Sequence, residues 1–95
     1  MKVYLDDTRQ APEGWTLVKT YQEAVHLLMT EDVTDISLDH DLGTDETGYD
    51  VIVWIERNVY SGNIPMPTIS IHTSNPAGYK KMRLARDAIE RRLTS

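Results

Sequence analysis

The chain has 95 residues, no cysteine, and 15 acidic against 10 basic side chains, for a formal net charge of −5. That length suits one domain and not two, and the lack of thiols excludes disulfides, thiolate metal sites and cysteine nucleophiles. No apolar run reaches membrane-spanning length, and Asp6-Asp7 follows the N-terminus too soon for a signal peptide, so one cytoplasmic domain over residues 1–95 is expected.

Lys2 to Leu5 reads as a short buried strand stopped by Asp6-Asp7, and Thr8 to Gly14, with Pro12 and Gly14, as a loop. Trp15 to Lys19 is a second short strand. Thr20 and Glu23 have capping-box spacing, and Tyr21, Ala24, Val25 and Leu28 then share one face of a helix running to about Met29. His26 falls inside that helix as a surface or packing residue. Asp35 leads into a third strand, Ile36-Ser37-Leu38, which stops at Asp39-His40-Asp41. After a polar turn from Gly43 to Gly48, Val51, Ile52, Trp54, Ile55 and Val59 form the apolar stripe of a second helix, ended by Ser61-Gly62. Pro65 and Pro67 mark the next connection, and Ile69 to Ile71 is a fourth strand ending at His72. Asn75-Pro76 is a helix start, a capping side chain before proline at the first helical position. Met82, Ala85, Ile89 and Leu93 give this last helix its buried edge.

Strands alternating with helices predict an α/β fold, a three-layer arrangement with a parallel sheet and helices on its faces. Right-handed crossovers bring every strand's C-terminal end to one rim, where open α/β sheets bind ligands. That rim collects Asp6, Asp7, Asp39, His40, Asp41 and His72. Asp6, Asp7 and Asp39 suit a hard divalent cation, Mg²⁺ or Mn²⁺, since crowded carboxylates need a cation or a shifted pKa; the first pair also suits a turn. His40 and His72 suit proton transfer near neutrality. Asp41 either orients one ring, completes a metal shell or starts a turn. Thr73, Ser74 and Asn75 lead into a helix N-terminus that suits a phosphate, with Asn75 also a natural cap. Arg9 is placed to balance the acidic pair or to grip a phosphate. Trp15 and Trp54 read as core.

Charge is unevenly spread. Residues 75–95 carry six basic and two acidic side chains, and the rest four basic and thirteen acidic. A basic last helix either attracts a nucleotide or nucleic acid or is a solvated face whose cations suit its C-terminal end.

The first strand ending in Asp6-Asp7, and the third ending in Asp39, resemble the corresponding elements of receiver domains of two-component signalling. The resemblance implies a trimmed, flavodoxin-like receiver fold with strand order 2-1-3-4. Its first helix is reduced to the Thr8–Gly14 loop and its fifth strand–helix unit is missing. The lysine that follows that fifth strand in receivers is missing with it, and His72 stands where receivers keep a hydroxyl residue. With Asp39-His40-Asp41-Leu42-Gly43 and His72-Thr73-Ser74-Asn75-Pro76, the chain is similar to an offshoot, the cyclic-phosphate-processing receiver domains. That resemblance implies binding and hydrolysis, or opening, of a cyclic phosphate on a nucleotide or an RNA end. Asp6, Asp7 and Asp39 would hold the cation, Asp39, His40 and His72 would act in catalysis, and Arg9, Asp41, Thr73, Ser74 and Asn75 would contact the substrate. The alternatives are a degenerate receiver that switches partners and a non-catalytic interaction protein that docks through its basic helix.

Overall fold

In Lys2–Leu5, Asp35–Leu38 and Thr68–Ile71 apolar residues alternate with polar or aromatic ones, so each extended segment has one face to bury. In the computed structural model, which describes residues 1–94, these segments are strands β1 (Lys2–Leu5), β3 (Asp35–Leu38) and β4 (Thr68–Ile71), with β2 (Thr16–Val18) beside β1. The helices are α1 (Tyr21–Thr30), α2 (Gly48–Tyr60) and α3 (Pro76–Thr94). All neighbouring strands pair in parallel, in the order β2-β1-β3-β4. Strand order and the replacement of the first helix by a loop are as the sequence predicts.

The connection from β1 to β2 is short for a parallel crossover, ten residues from Asp6 to Trp15. It suffices because strands of this length span only about 10–13 Å, whereas ten extended residues reach about 33 Å.

Val3, Leu5, Ile36, Leu38 and Ile69 are buried against Ala24 and Leu28 of α1, Val51, Ile52 and Ile55 of α2, and Met82 and Ile89 of α3. The three helices therefore lie on one face, and the layers number two where the sequence suggested three. Tyr4, Leu17, Ser37 and Ser70 point to the other face, which no described helix covers. Topology is the reason. The steps from β2 to β3 and from β3 to β4 run the same way across the sheet, so right-handed crossovers place their helices together. Only the step from β1 to β2 runs the other way, and its helix is replaced by a loop.

Thr20 Oγ1 accepts the Glu23 N–H at 3.1 Å, but the Glu23 carboxylate accepts from Lys19 N–H, so the capping box is only half made. Asn75 caps α3 by accepting the Gly78 N–H at 3.1 Å, with Pro76 first in the helix. Leu93, expected on the buried edge, is 46% exposed. The 19 residues of α3 extend about 28 Å, and its last turns run past strands less than half as long.

Candidate functional site

The backbone ladder continues beyond the strands and pins the rim residues in register. Asp6 N–H donates to Val18 O, Asp39 N–H to Leu5 O and His72 N–H to Leu38 O, each at 3.0 Å. The three residues that open the three motifs are thus held side by side.

Asp6, Asp7 and Asp39 each bring one carboxylate oxygen to within 4.8 Å of the others. Three hard oxygen donors at this spacing fit a cation such as Mg²⁺ or Mn²⁺, which takes one or two carboxylates and keeps several waters. The donors are not equivalent. Asp6 is fully buried, and its Oδ1 accepts from Thr8 N–H, Arg9 N–H and the Thr8 hydroxyl, so that oxygen shapes the loop after β1. Among the described residues the Asp39 side chain accepts only the His40 N–H, at 2.8 Å, and the Asp7 side chain has no partner. Asp7 and Asp39 are the carboxylates with lone pairs free for a cation, and Asp6 backs them.

The two histidines are held differently. The His72 ring lies over the open sheet face, stacked on Tyr4 with centroids 4.1 Å apart and planes 7° from parallel. Its Nδ1 is 2.7 Å from Ser37 Oγ and its Nε2 is 3.1 Å from Asp6 Oδ2. A paired acid–base role asks for a free nitrogen on each ring, and His72 has both nitrogens engaged. His40 points to the helical face, with Nδ1 2.9 Å from Asp41 Oδ1 and no partner at Nε2 among the described residues. Asn75 donates to Asp41 Oδ2 at 3.2 Å, which links His40 to the cap of α3. Of the roles open to Asp41, orienting a ring is the one that its contacts make.

Two glycines allow this arrangement, and neither stands out in the sequence. A Cβ on Gly78 would stand 2.6 Å from Cγ of His40, so the bare backbone leaves room for the ring against the first turn of α3. A Cβ on Gly48 would overlap the Asp39 carbonyl oxygen. Glycines near helix starts, just after the motifs that open at Asp39 and at His72, were the available signal. Ser37 and Tyr4 were also missed, although their alternation with Ile36, Leu38, Val3 and Leu5 marks them as facing away from the core.

The remaining candidates are structural neighbours of the rim. Arg9 donates to the His72 carbonyl at 3.2 Å and lies 3.9 Å from Asp6, tying the loop after β1 to the end of β4. Thr73 Oγ1 accepts the Asn75 N–H at 3.2 Å, and Ser74 is exposed beside it. His26 is exposed on α1, as expected. Trp54 packs against the core, whereas Trp15 stands edge-on to Tyr4 on the open face. On α3, Arg83 and Arg86 pair with Asp87, Lys81 covers the Tyr49 ring at 4.0 Å and Arg92 the Tyr60 ring at 3.9 Å. Four of the six basic side chains of α3 are therefore paired or stacked within the chain. Among the described residues, no helix is long and apolar enough to cross a membrane.

Electrostatics follow from these contacts. Burial alone would raise the Asp6 carboxyl pKa, but the Arg9 and Thr8 N–H groups, then the His72 ring, outweigh it and hold it low. Asp41 is lowered by its hydrogen bonds from His40 and Asn75. Burial lowers the His72 pKa below its ordinary 6.5, against the opposing pull of Asp6 and Asp39. The unfolded chain thus binds more protons than the native one just below pH 6.5, and stability must fall with pH there. The stability that neutral His72 contributes is complete above its unfolded value and lost as pH falls through the folded one; Asp6 and Asp41 add a second loss in stronger acid. In chelator, melting temperature is expected to drop as pH falls below 6.5, and His72→Gln should flatten that limb. An unchanged slope in the variant would assign the drop to other groups.

The fold is that of a receiver reduced to four strands and three helices, with an acidic cluster at the usual ligand rim. The chain belongs to the family described as the cyclic-phosphate processing receiver domain, which matches residues 1–88. Neither a curated protein nor a solved structure matches it.

Proposed function

We propose that the rim binds a cyclic phosphate, on a nucleotide or an RNA end, and opens it by cation-assisted hydrolysis. The observation that carries this reading is the cluster of Asp6, Asp7 and Asp39 at the rim of a chain in this family. Asp7 and Asp39, backed by Asp6, would hold the divalent cation, Mg²⁺ or Mn²⁺. When bound, the cation supplies positive charge against the phosphoryl oxygens. His40 takes a proton from water through Nε2 while Asp41 holds Nδ1–H. The water oxygen bonds to phosphorus, one P–O bond of the ring breaks, and the proton passes to the departing oxygen. An acyclic phosphomonoester results. His72 serves to position Asp6, and Arg9, Thr73, Ser74 and Asn75 stand beside the rim where the phosphate would sit.

Two features weigh against the other readings. Phosphotransfer to Asp39 would meet, where receivers keep a hydroxyl residue, the His72 ring with both nitrogens engaged. Four of the six α3 cations are paired or stacked within the chain, which leaves fewer side chains free to reach a docking partner.

Cation binding to the native state stabilises it by mass action, about 2.7 kcal/mol at a hundred times Kd. For a domain of this size that corresponds to roughly 10–20 °C in melting temperature. Millimolar Mg²⁺ or Mn²⁺ is therefore expected to raise the melting temperature, and Asp39→Asn to abolish most of the gain. The same thermal-shift screen, extended to turnover, should include cyclic mononucleotides and RNA ends bearing a 2′,3′-cyclic phosphate. Absence of any cation-dependent shift, together with no turnover of these substrates, would overturn the reading.

A further inference from the structure

We propose that Ser37, with Tyr4 beneath the ring, is a positioning residue that fixes His72 so that its Nε2–H holds the Asp6 carboxylate in place behind the cation site. Along β3 the side chains alternate between the two faces of the sheet. Ser37 shares its face with Tyr4 and is paired level with it, on the side of the sheet away from the helices. His72 is two residues beyond Ser70 on β4, so its side chain returns to the same face and lies across β3.

The contacts determine where the ring's proton sits. A carboxylate without a proton can only accept, so Nε2 must carry the hydrogen that faces Asp6 Oδ2 at 3.1 Å. In the neutral ring Nδ1 is then the acceptor, and the Ser37 hydroxyl donates to it at 2.7 Å. The stack on Tyr4 sets the plane of the ring, and the two hydrogen bonds set its rotation within that plane. Ser37 is 7% exposed and Asp6 not at all, so neither bond is traded freely for water.

The order Ser37, His72, Asp6 also invites comparison with a serine nucleophile and its base. The sheet argues against that use. Ser37 sits mid-strand, level with Tyr4 on one side and Ser70 on the other, where the ladders of β1 and β4 engage the surrounding backbone. An oxyanion would need donors that are free and converge beside the hydroxyl. The network instead ends on Asp6, whose other oxygen is already saturated by the loop after β1. Loss of the Ser37 hydroxyl leaves Nδ1 without its donor, frees the ring to exchange tautomers or rotate, and loosens Asp6 Oδ2, the oxygen that the Thr8 and Arg9 N–H groups do not hold. Partners behind metal ligands commonly change metal affinity about 10–100-fold.

This inference rests on the cation-dependent reading of the rim, and its test separates the two. The ring nitrogens of His72 are to be observed by ¹⁵N NMR in chelator-treated protein, and Mn²⁺ affinity by titration calorimetry. The proteins are the wild type, Ser37→Ala, Ser37→Thr and Asp39→Asn. Expected are an Nε2–H tautomer in the wild type and mixed or averaged signals in Ser37→Ala. Mn²⁺ affinity should fall about tenfold in Ser37→Ala, recover in Ser37→Thr, which keeps the hydroxyl, and be lost in Asp39→Asn. A wild type that binds Mn²⁺ while Ser37→Ala keeps its affinity overturns the positioning role, whatever the ring signals do. An Nδ1–H tautomer in the wild type overturns it as well. A folded wild type that binds no Mn²⁺ instead overturns the reading of the rim as a cation site.

Discussion

Gly48→Ala is expected to lower stability more than alanine at either exposed turn glycine, by about 3 kcal/mol or more. The new Cβ would overlap the Asp39 carbonyl oxygen and come within 2.9 Å of its carbon, and both are backbone atoms. Neither can withdraw easily. The Asp39 N–H is bonded to Leu5 O and the Gly48 N–H to His40 O, each at 3.0 Å, so the two segments are clamped together. The Cε of Met82, 2.8 Å away, is the one neighbour that can move. For a domain of this size the loss corresponds to a fall in melting temperature of roughly 12–24 °C. Gly14 and Gly62 make the comparison sharp. Both have positive φ, 86° and 76°, and a Cβ added at either would meet nothing within 4 Å, so alanine there meets only backbone strain. That strain costs about 1–2 kcal/mol. Calorimetric melting of the three variants checks the ranking. A Gly48→Ala protein as stable as Gly14→Ala would mean that α2 and the end of β3 approach less closely than described.

The contact at Gly48 shows where sequence reasoning ended. Periodicity placed all four strands and three helices, because the strands alternate and the helices carry apolar stripes. Strand order and the common rim then followed from the resemblance and from right-handed crossovers. The same alternation held information that the layer count did not use. A parallel sheet covered on both faces reads as continuous apolar runs, whereas Lys2-Val3-Tyr4-Leu5 and Thr68-Ile69-Ser70-Ile71 are apolar at alternate positions apart from Tyr4. One bare face was therefore legible in principle. The state of His72 was not. Its partners lie 35 and 66 residues away, and the direction of its ring depends on Tyr4, which it meets only across β3. Local pattern placed both histidines at the rim and could not tell an engaged imidazole from a free one.

His40→Ala should reduce turnover of a cyclic phosphate by about a hundredfold or more, the effect expected when a positioned acid–base group is removed. The expectation rests on the difference between the rings. The His40 Nδ1 is held by Asp41, itself held by Asn75, while Nε2 has no partner among the described residues. An imidazole fixed at one nitrogen and open at the other can take a proton and return it. Cation affinity should persist in His40→Ala, because the ring is not among the carboxylates that fit the ion. Gly78→Ala offers a second route to the same centre without touching the imidazole. Its Cβ would meet Cγ and Cδ2 of His40 at 2.6 and 2.8 Å, so the ring must move, while the cap from Asn75 to the Gly78 backbone is retained. Turnover in Gly78→Ala should fall with kcat more than with KM, since Asp6, Asp7 and Asp39 are left in place. The double variant should lose far less than the product of the two single losses, because both act through one ring. Initial rates with Mg²⁺ on a 2′,3′-cyclic nucleotide measure all three. If an active wild type tolerates His40→Ala, proton transfer at this rim does not pass through His40, and the chemistry falls to water activated among the aspartates.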